Sequence, residues 1–195
     1  MTQPAGIESR TIQVAEQVHD ILERLGIESA VIGAMALAVH RYVRATRDFD
    51  LATCADPFLK LPELRQALEK AGFHAELRQP DADDPLGGVV EINGEGFKPI
   101  QIVNFLNPAA PRAAALGREA ISESKVGLIE RSRIRVVTLP CLIALKLYGG
   151  GPKNRNDVIE ILERNQPLDL SAIRDVCGRH GLGEELESVI SALGL

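Results

Sequence analysis

One stretch constrains this chain more than any other: Val31-Ile32-Gly33-Ala34-Met35-Ala36-Leu37-Ala38-Val39-His40, followed by Arg44-Ala45-Thr46-Arg47-Asp48-Phe49-Asp50-Leu51. Val31-Ile32 reads as the end of a short buried strand, Ala30 to Ile32, stopped by Gly33. The apolar run that follows reads as a helix from Ala34 to His40, and Asp48 to Thr53 reads as a second strand. Alternate residues of a strand leave the same face, so Asp48 and Asp50 stand side by side, roughly 6 to 7 Å apart. One Mg²⁺, or a pair, can be held there. The first amides of the helix, beside the glycine turn at Gly33 and Ala34, attract phosphate. A phosphate cradle next to a metal-binding Asp-x-Asp strand is the minimum equipment for moving a nucleotidyl group. A solvated strand face carrying two aspartates by chance fits less well, because Leu51 continues an apolar face behind them.

Around this stretch the hydrophobic pattern predicts an amphipathic helix from Glu8 to Leu25, ended by Gly26, and another from about Phe58 to Lys70, closed by Ala71-Gly72. Strands are expected at Phe73 to Arg78, Val89 to Ile92 and Ile100 to Phe105, the last two joined by the turn Asn93-Gly94-Glu95-Gly96. A helix after Pro111 and a strand from Arg133 to Thr138 follow. Beyond Pro140 the pattern is wholly helical: Leu139 to Tyr148, a Gly149-Gly150-Gly151-Pro152 break, then Asn156 to Arg164, Ser171 to His180 and Glu184 to Leu193. The expected fold is α+β, a small mixed sheet flanked by helices, with residues 1–138 as its core and residues 139–195 as a helical C-terminal lobe. With 195 residues this is one compact, two-lobed chain.

A net charge of -5 argues against a globally basic coat for nucleic acid, so an RNA partner would need a local patch. The only basic enrichment is Arg112, Arg118, Lys125, Arg131, Arg133 and Arg135, interrupted by Glu119, Glu123 and Glu130. Most such runs are solvated faces. With no Trp, two Tyr and five Phe, base-stacking platforms are scarce. Cys54, Cys141 and Cys177 are mutually remote and lack metal or disulfide spacing, so reduced structural thiols are expected. Met1 to Gly6 lacks the basic start of a secretory signal, and no segment approaches the ~20 apolar residues that a bilayer requires. A cytoplasmic protein with no membrane partner is the expectation.

Other candidates carry two readings each. Arg44 either holds a phosphate or anchors its loop by pairing with an aspartate, and Thr46 either faces a phosphate or anchors the loop through a side-chain to backbone bond. His40, at the end of an apolar helix, reads as a packed, hydrogen-bonded core histidine. Lys146 sits among Leu142, Ile143, Leu145 and Leu147, which suits an ammonium reaching for a triphosphate or one snorkelling to solvent. Lys153, Arg155 and Asp157 stand at a helix entrance, where Asp157 can simply favour the dipole and Arg155 can simply be exposed.

The order Gly33-Ala34-x-Ala36, His40, Arg44-x-Thr46-x-Asp48-x-Asp50, then Lys146 and Arg155-x-Asp157, resembles the nucleotidyltransferase family of AbiEii-type toxins, within the polymerase-beta-like nucleotidyltransferase superfamily. The similarity covers residues 10 to 165. It implies transfer of NMP from an NTP, with Mg²⁺ (or Mn²⁺), to an RNA such as tRNA, a protein or a small-molecule acceptor. In such a site Asp48, Asp50, Lys146 and Asp157 are catalytic, Asp157 as base or as organiser of Lys146. Gly33, Ala34, Arg44, Thr46, Lys146 and Arg155 bind the nucleotide, and the basic run is where tRNA phosphates would lie. A toxin role with a cognate antitoxin follows from the same resemblance.

Two departures from the family pattern matter. Ala34 stands where many members have Ser or a second Gly, which removes a hydroxyl and keeps the amide. A third carboxylate is expected on a later strand, and there this chain reads Ile100-Gln101-Ile102-Val103. Gln101 offers an amide oxygen without charge, binds Mg²⁺ more weakly and cannot act as a base. Glu91 joins the metal ligands if the strand register sets it beside Asp50. Otherwise the chain is a degenerate binding module that keeps the fold without the chemistry. A further reading is a homodimer paired through apolar faces of the C-terminal helices.

Overall fold

The computed structural model describes residues 5–81, 84–126, 129 and 132–195, with side chains from residue 7. Of the residues singled out above, Met1 to Pro4, Glu130 and Arg131 lie outside them. The elements run α1 (Ala5–Arg24), β1 (Ser29–Val31), α2 (Gly33–Val39), β2 (Phe49–Thr53), α3 (Lys60–Lys70), β3 (His74–Arg78), β4 (Val89–Asn93), β5 (Ile100–Asn104), α4 (Pro111–Ser122), α5 (Leu139–Gly149), α6 (Gly151–Arg164), α7 (Leu170–Arg179) and α8 (Gly183–Leu193). The fold is α+β, as the periodicities predict.

The sheet has the order β1-β2-β5-β4-β3. Among the described strands, β2 and β5 pair parallel and the other neighbours pair antiparallel, so the sheet is mixed. Its faces differ sharply because each strand alternates. Phe49 and Leu51 of β2, Ile100 and Ile102 of β5, and Val90 and Ile92 of β4 point into the core with Leu61, Leu64 and Leu68 of α3 and Val14, Val18 and Leu22 of α1. Asp50, Gln101, Glu91 and Glu76 are register partners in turn, so they form one polar row across the opposite face.

The core continues through Leu116 of α4 and Leu142 and Ile143 of α5 into Val158 and Ile161 of α6, Ile173 and Val176 of α7, and Leu186 and Val189 of α8. The apolar stripes of α7 and α8 are thus buried within this chain's own core, which accounts for the pattern that suggested a second copy. Among the described residues, no helix is long and apolar enough to cross a membrane.

Two expectations change. The segment after Arg133 is not a strand: Val136 makes isolated bridges to Val31 and Lys125. Ile134 and Val136 are buried as the alternation requires, but the segment bonds to β1 only at Val31, whose N–H donates to the Arg135 carbonyl and whose carbonyl accepts from Val137 N–H. The glycine break before α6 is shorter than expected, because the helix begins at Gly151 with Pro152 in its first turn, where a missing N–H costs nothing.

Candidate active site

β1, α2 and β2 place the glycine turn directly against the strand that carries the carboxylates. Ile32 N–H donates to the Asp50 carbonyl at 3.0 Å, which holds the end of β1 to β2. Gly33 has φ +62°, and a Cβ there would stand 1.9 Å from Asp50 Oδ2. Glycine is therefore required twice, by the left-handed backbone and by the carboxylate lying over it. Ala34 is buried at the start of α2.

Asp48 lies one residue before β2, and it shares the half-buried face with Asp50 while Phe49 and Leu51 are buried behind them. Burial, and then repulsion from Asp48, push the Asp50 carboxyl up to about 6, against the opposing pull of Lys146, Arg44 and Lys153. A pair of like charges in this state is what a divalent cation relieves. Thr46 Oγ1 donates to Asp48 Oδ1 and fixes that carboxylate from its own loop.

The helical half reaches the same place through Asp157, which is 1% exposed. Arg44 grips it with two bonds, Nε to Oδ1 at 2.9 Å and a terminal nitrogen to Oδ2 at 3.2 Å. Lys146 Nζ approaches Oδ2 at 2.7 Å and also lies 3.4 Å from Asn154 Oδ1. The loop before β2, α5 and α6 are thus joined by one buried carboxylate. Of the two readings of Arg44, pairing with an aspartate is the arrangement present, and Lys146 turns inward to Asp157 rather than out to solvent.

Arg155 is not brought to this cluster. Its guanidinium donates to the Ser188 carbonyl and hydroxyl on α8. Two residues along a helix turn the side chain by roughly 200°, so Arg155 and Asp157 cannot face the same way. Lys153, four residues before Asp157, does share its face, and its charge acts on Asp50. The i, i+4 spacing of Lys153 from Asp157 is the signal in the sequence that places it at the site.

Glu91 does not neighbour Asp50 either. The parallel register sets Gln101 opposite Asp50, and Glu91 is opposite Gln101, one strand farther out. Among the described residues, no group of three or more His, Cys, Asp or Glu side chains converges to hold a metal. Two carboxylates on one face nevertheless suit Mg²⁺, which commonly takes one or two from protein and the rest from phosphates and water. The residues present fit such an ion.

His40 is half-buried, and its Nε2 lies 2.9 Å from the Val137 carbonyl. Burial lowers its pKa below the usual value, so the neutral ring donates from Nε2 and packs α2 against the segment before α5. Three members of the basic run bond to the protein itself. Arg112 bonds to the His180 carbonyl, Arg133 to Asp20, and Arg135 to the Ser122 and Ser124 carbonyls. All three cysteines are free, Cys141 and Cys177 buried, and burial raises each thiol.

No family model and no curated protein matches this chain. Solved structures do. A Thermotoga maritima protein assigned as a nucleotidyltransferase (TM1012) is similar at a TM-score of 0.54 and 14% identity, over 80% of this chain and 95% of that one. An antigenic nucleotidyltransferase-like protein from Paracoccidioides brasiliensis gives 0.52 and 16%, over 94% and 93%. The antibiotic-resistance factor ANT(2'')-Ia gives 0.50 and 14%, over 96% and 97%. At these identities the likeness is one of architecture: this chain has the fold of the nucleotidyltransferases.

Proposed function

We propose that this chain transfers a nucleotidyl group from an NTP to an acceptor hydroxyl, with Asp48 and Asp50 holding Mg²⁺ or Mn²⁺. The single observation that carries the reading is the Asp48-Asp50 face laid against the Gly33 turn, with Arg44, Lys146 and Lys153 all acting on Asp50. When bound, the metal neutralises the triphosphate and polarises the α-phosphorus. Gly33 lets the Asp50 carboxylate lie against the turn that opens α2, and the main-chain amides of Gly33 and Ala34 would meet the phosphates there. Asp157 keeps Arg44 and Lys146 fixed beside the carboxylates, so that their charge meets the phosphates without reorganising. The acceptor oxygen bonds to the α-phosphorus, pyrophosphate leaves, and the hydroxyl proton passes to solvent. Positioning and charge neutralisation are the whole of the catalysis.

The experiment is incubation with each α-labelled NTP and Mg²⁺, offering tRNA, total protein and small polyhydroxy compounds as acceptors. Label is expected on one acceptor class, with a loss of at least a hundredfold in Asp48→Ala. Absence of Mg²⁺-NTP binding at millimolar concentration overturns the reading. The AbiEii-type subtype, a cytoplasmic toxin role and a cognate antitoxin rest on the motif resemblance alone. Growth arrest on expression, relieved by Asp48→Ala, tests them.

One observation favours a second reading. Gln101 occupies the register position beside Asp50 where the family has an acid, which suits a module that binds nucleotide without turnover. Nucleotide binding with no labelled product in the same assay supports that reading, and labelled product excludes it.

A further inference from the structure

The polar row on the open face of the sheet has an internal order that fixes the chemistry of its neutral member. Gln101 lies between Asp50 on one side and Glu91 on the other. Its Nε2 donates to Glu91 Oε2 at 3.3 Å, and the second oxygen of Glu91 accepts from Asn93 Nδ2 at 2.9 Å. A carboxylate only accepts hydrogen bonds, so it selects the NH₂ end of a neighbouring amide. Both Glu91 oxygens are engaged in this way, and neither is left to reach toward Asp50.

We infer that Glu91 is a positioning residue: it draws the Gln101 amide nitrogen to itself and thereby turns Gln101 Oε1 toward Asp50 as a neutral third oxygen of the cation site. This rests on the proposed metal site at Asp48 and Asp50. Without Glu91 the amide is free to present its NH₂ instead, which repels a cation and competes for the Asp50 oxygens. The row Asn93, Glu91, Gln101, Asp50 then works as a relay of orientation. One acid is used at one remove, to set a dipole, where a ligand carboxylate would have supplied charge. Fixing the partner of a metal ligand in this way is commonly worth roughly tenfold or more in metal affinity.

The test is Mg²⁺ titration of the nucleotide-free, full chain, followed by the ¹⁵N–¹H signals of the side-chain amides. The Gln101 pair is assigned by its loss in Gln101→Glu. The Gln101 signal is expected to shift saturably with Mg²⁺, at the same midpoint as the heat measured by calorimetry. Glu91→Gln is expected to weaken Mg²⁺ binding about tenfold while its thermal midpoint stays within a degree or two of the parent. Gln101→Glu, which places a charge where the amide oxygen stood, is expected to tighten it. A Gln101 signal that ignores Mg²⁺, or a Glu91→Gln chain that binds as the parent does, while Asp48→Asn abolishes binding, overturns the inference and leaves the two-carboxylate site standing. Unchanged binding in Asp48→Asn overturns the site itself.

Discussion

Asp50 is the residue at which stability and chemistry conflict. Its folded carboxyl titrates near 6 because burial and Asp48 disfavour the charge, whereas an unfolded aspartate ionises near 3.8. Between those values the folded chain keeps a proton that the unfolded chain has lost. Stability of the metal-free protein therefore falls as pH rises through that window, by at most about 3 kcal/mol, and stays lower above it. Asp50→Asn removes the cost. Thermal melts in EDTA are expected to show the variant more stable than the parent at pH 8 and equal to it near pH 3.5; equal midpoints at pH 8 contradict the account. Gly33 gives the complementary case. Gly33→Ala combines a positive φ with a Cβ 1.9 Å from Asp50 Oδ2 and is expected to cost about 2 kcal/mol or more by urea unfolding. Adding Asp50→Ala is expected to recover the contact part and leave about 1 kcal/mol for the backbone. Additive costs would show that the carboxylate does not lie over the turn.

At the scale of elements, Asp157 ties α6 to α5 and to the loop before β2. Breaking a buried ion pair from one side leaves its partners uncompensated, and Asp157→Ala is expected to cost about 3 kcal/mol in urea denaturation at pH 7. A loss below about 1 kcal/mol would mean that Arg44 and Lys146 find water instead. What could be read in advance follows from the range of each interaction. The faces of β2 were legible, since a period of two needs only neighbours in sequence. Arg155 and Lys153 were legible in principle, because helix geometry separates residues two apart and joins residues four apart. The neighbour of Asp50 was not, because it depends on the order of strands in the whole sheet, which sets β5 with Gln101, and not β4 with Glu91, beside β2. The bridge at Val136 was hidden for a like reason: alternation from Arg133 to Val136 reports burial, and only β1 decides whether a partner exists.

For the whole molecule, one hydrophobic core runs from α1 to α8 through the sheet. Although the sequence divides into an α/β part and a helical part, their apolar residues are shared across α4 and α5. Unfolding is expected to be a single cooperative transition. Tyr42, in the loop leading to the carboxylates, and Tyr148, on α5, offer a direct check, since the near-ultraviolet signal of each alone in Tyr→Phe variants should share its urea midpoint with the far-ultraviolet signal. Separated midpoints would make the helical part an independent unit.

The Arg44–Asp157 clamp spans 113 residues of sequence. During synthesis, which delivers the N-terminal part first, Asp48 and Asp50 emerge well ahead of the residue that holds Arg44 and Lys146 beside them. A nascent chain therefore carries Asp48, Asp50 and Arg44 without the clamp of Asp157 until α6 has left the ribosome. The order of the genetic text, and not the fold alone, thus delays the closing of this site until the helical part has been made.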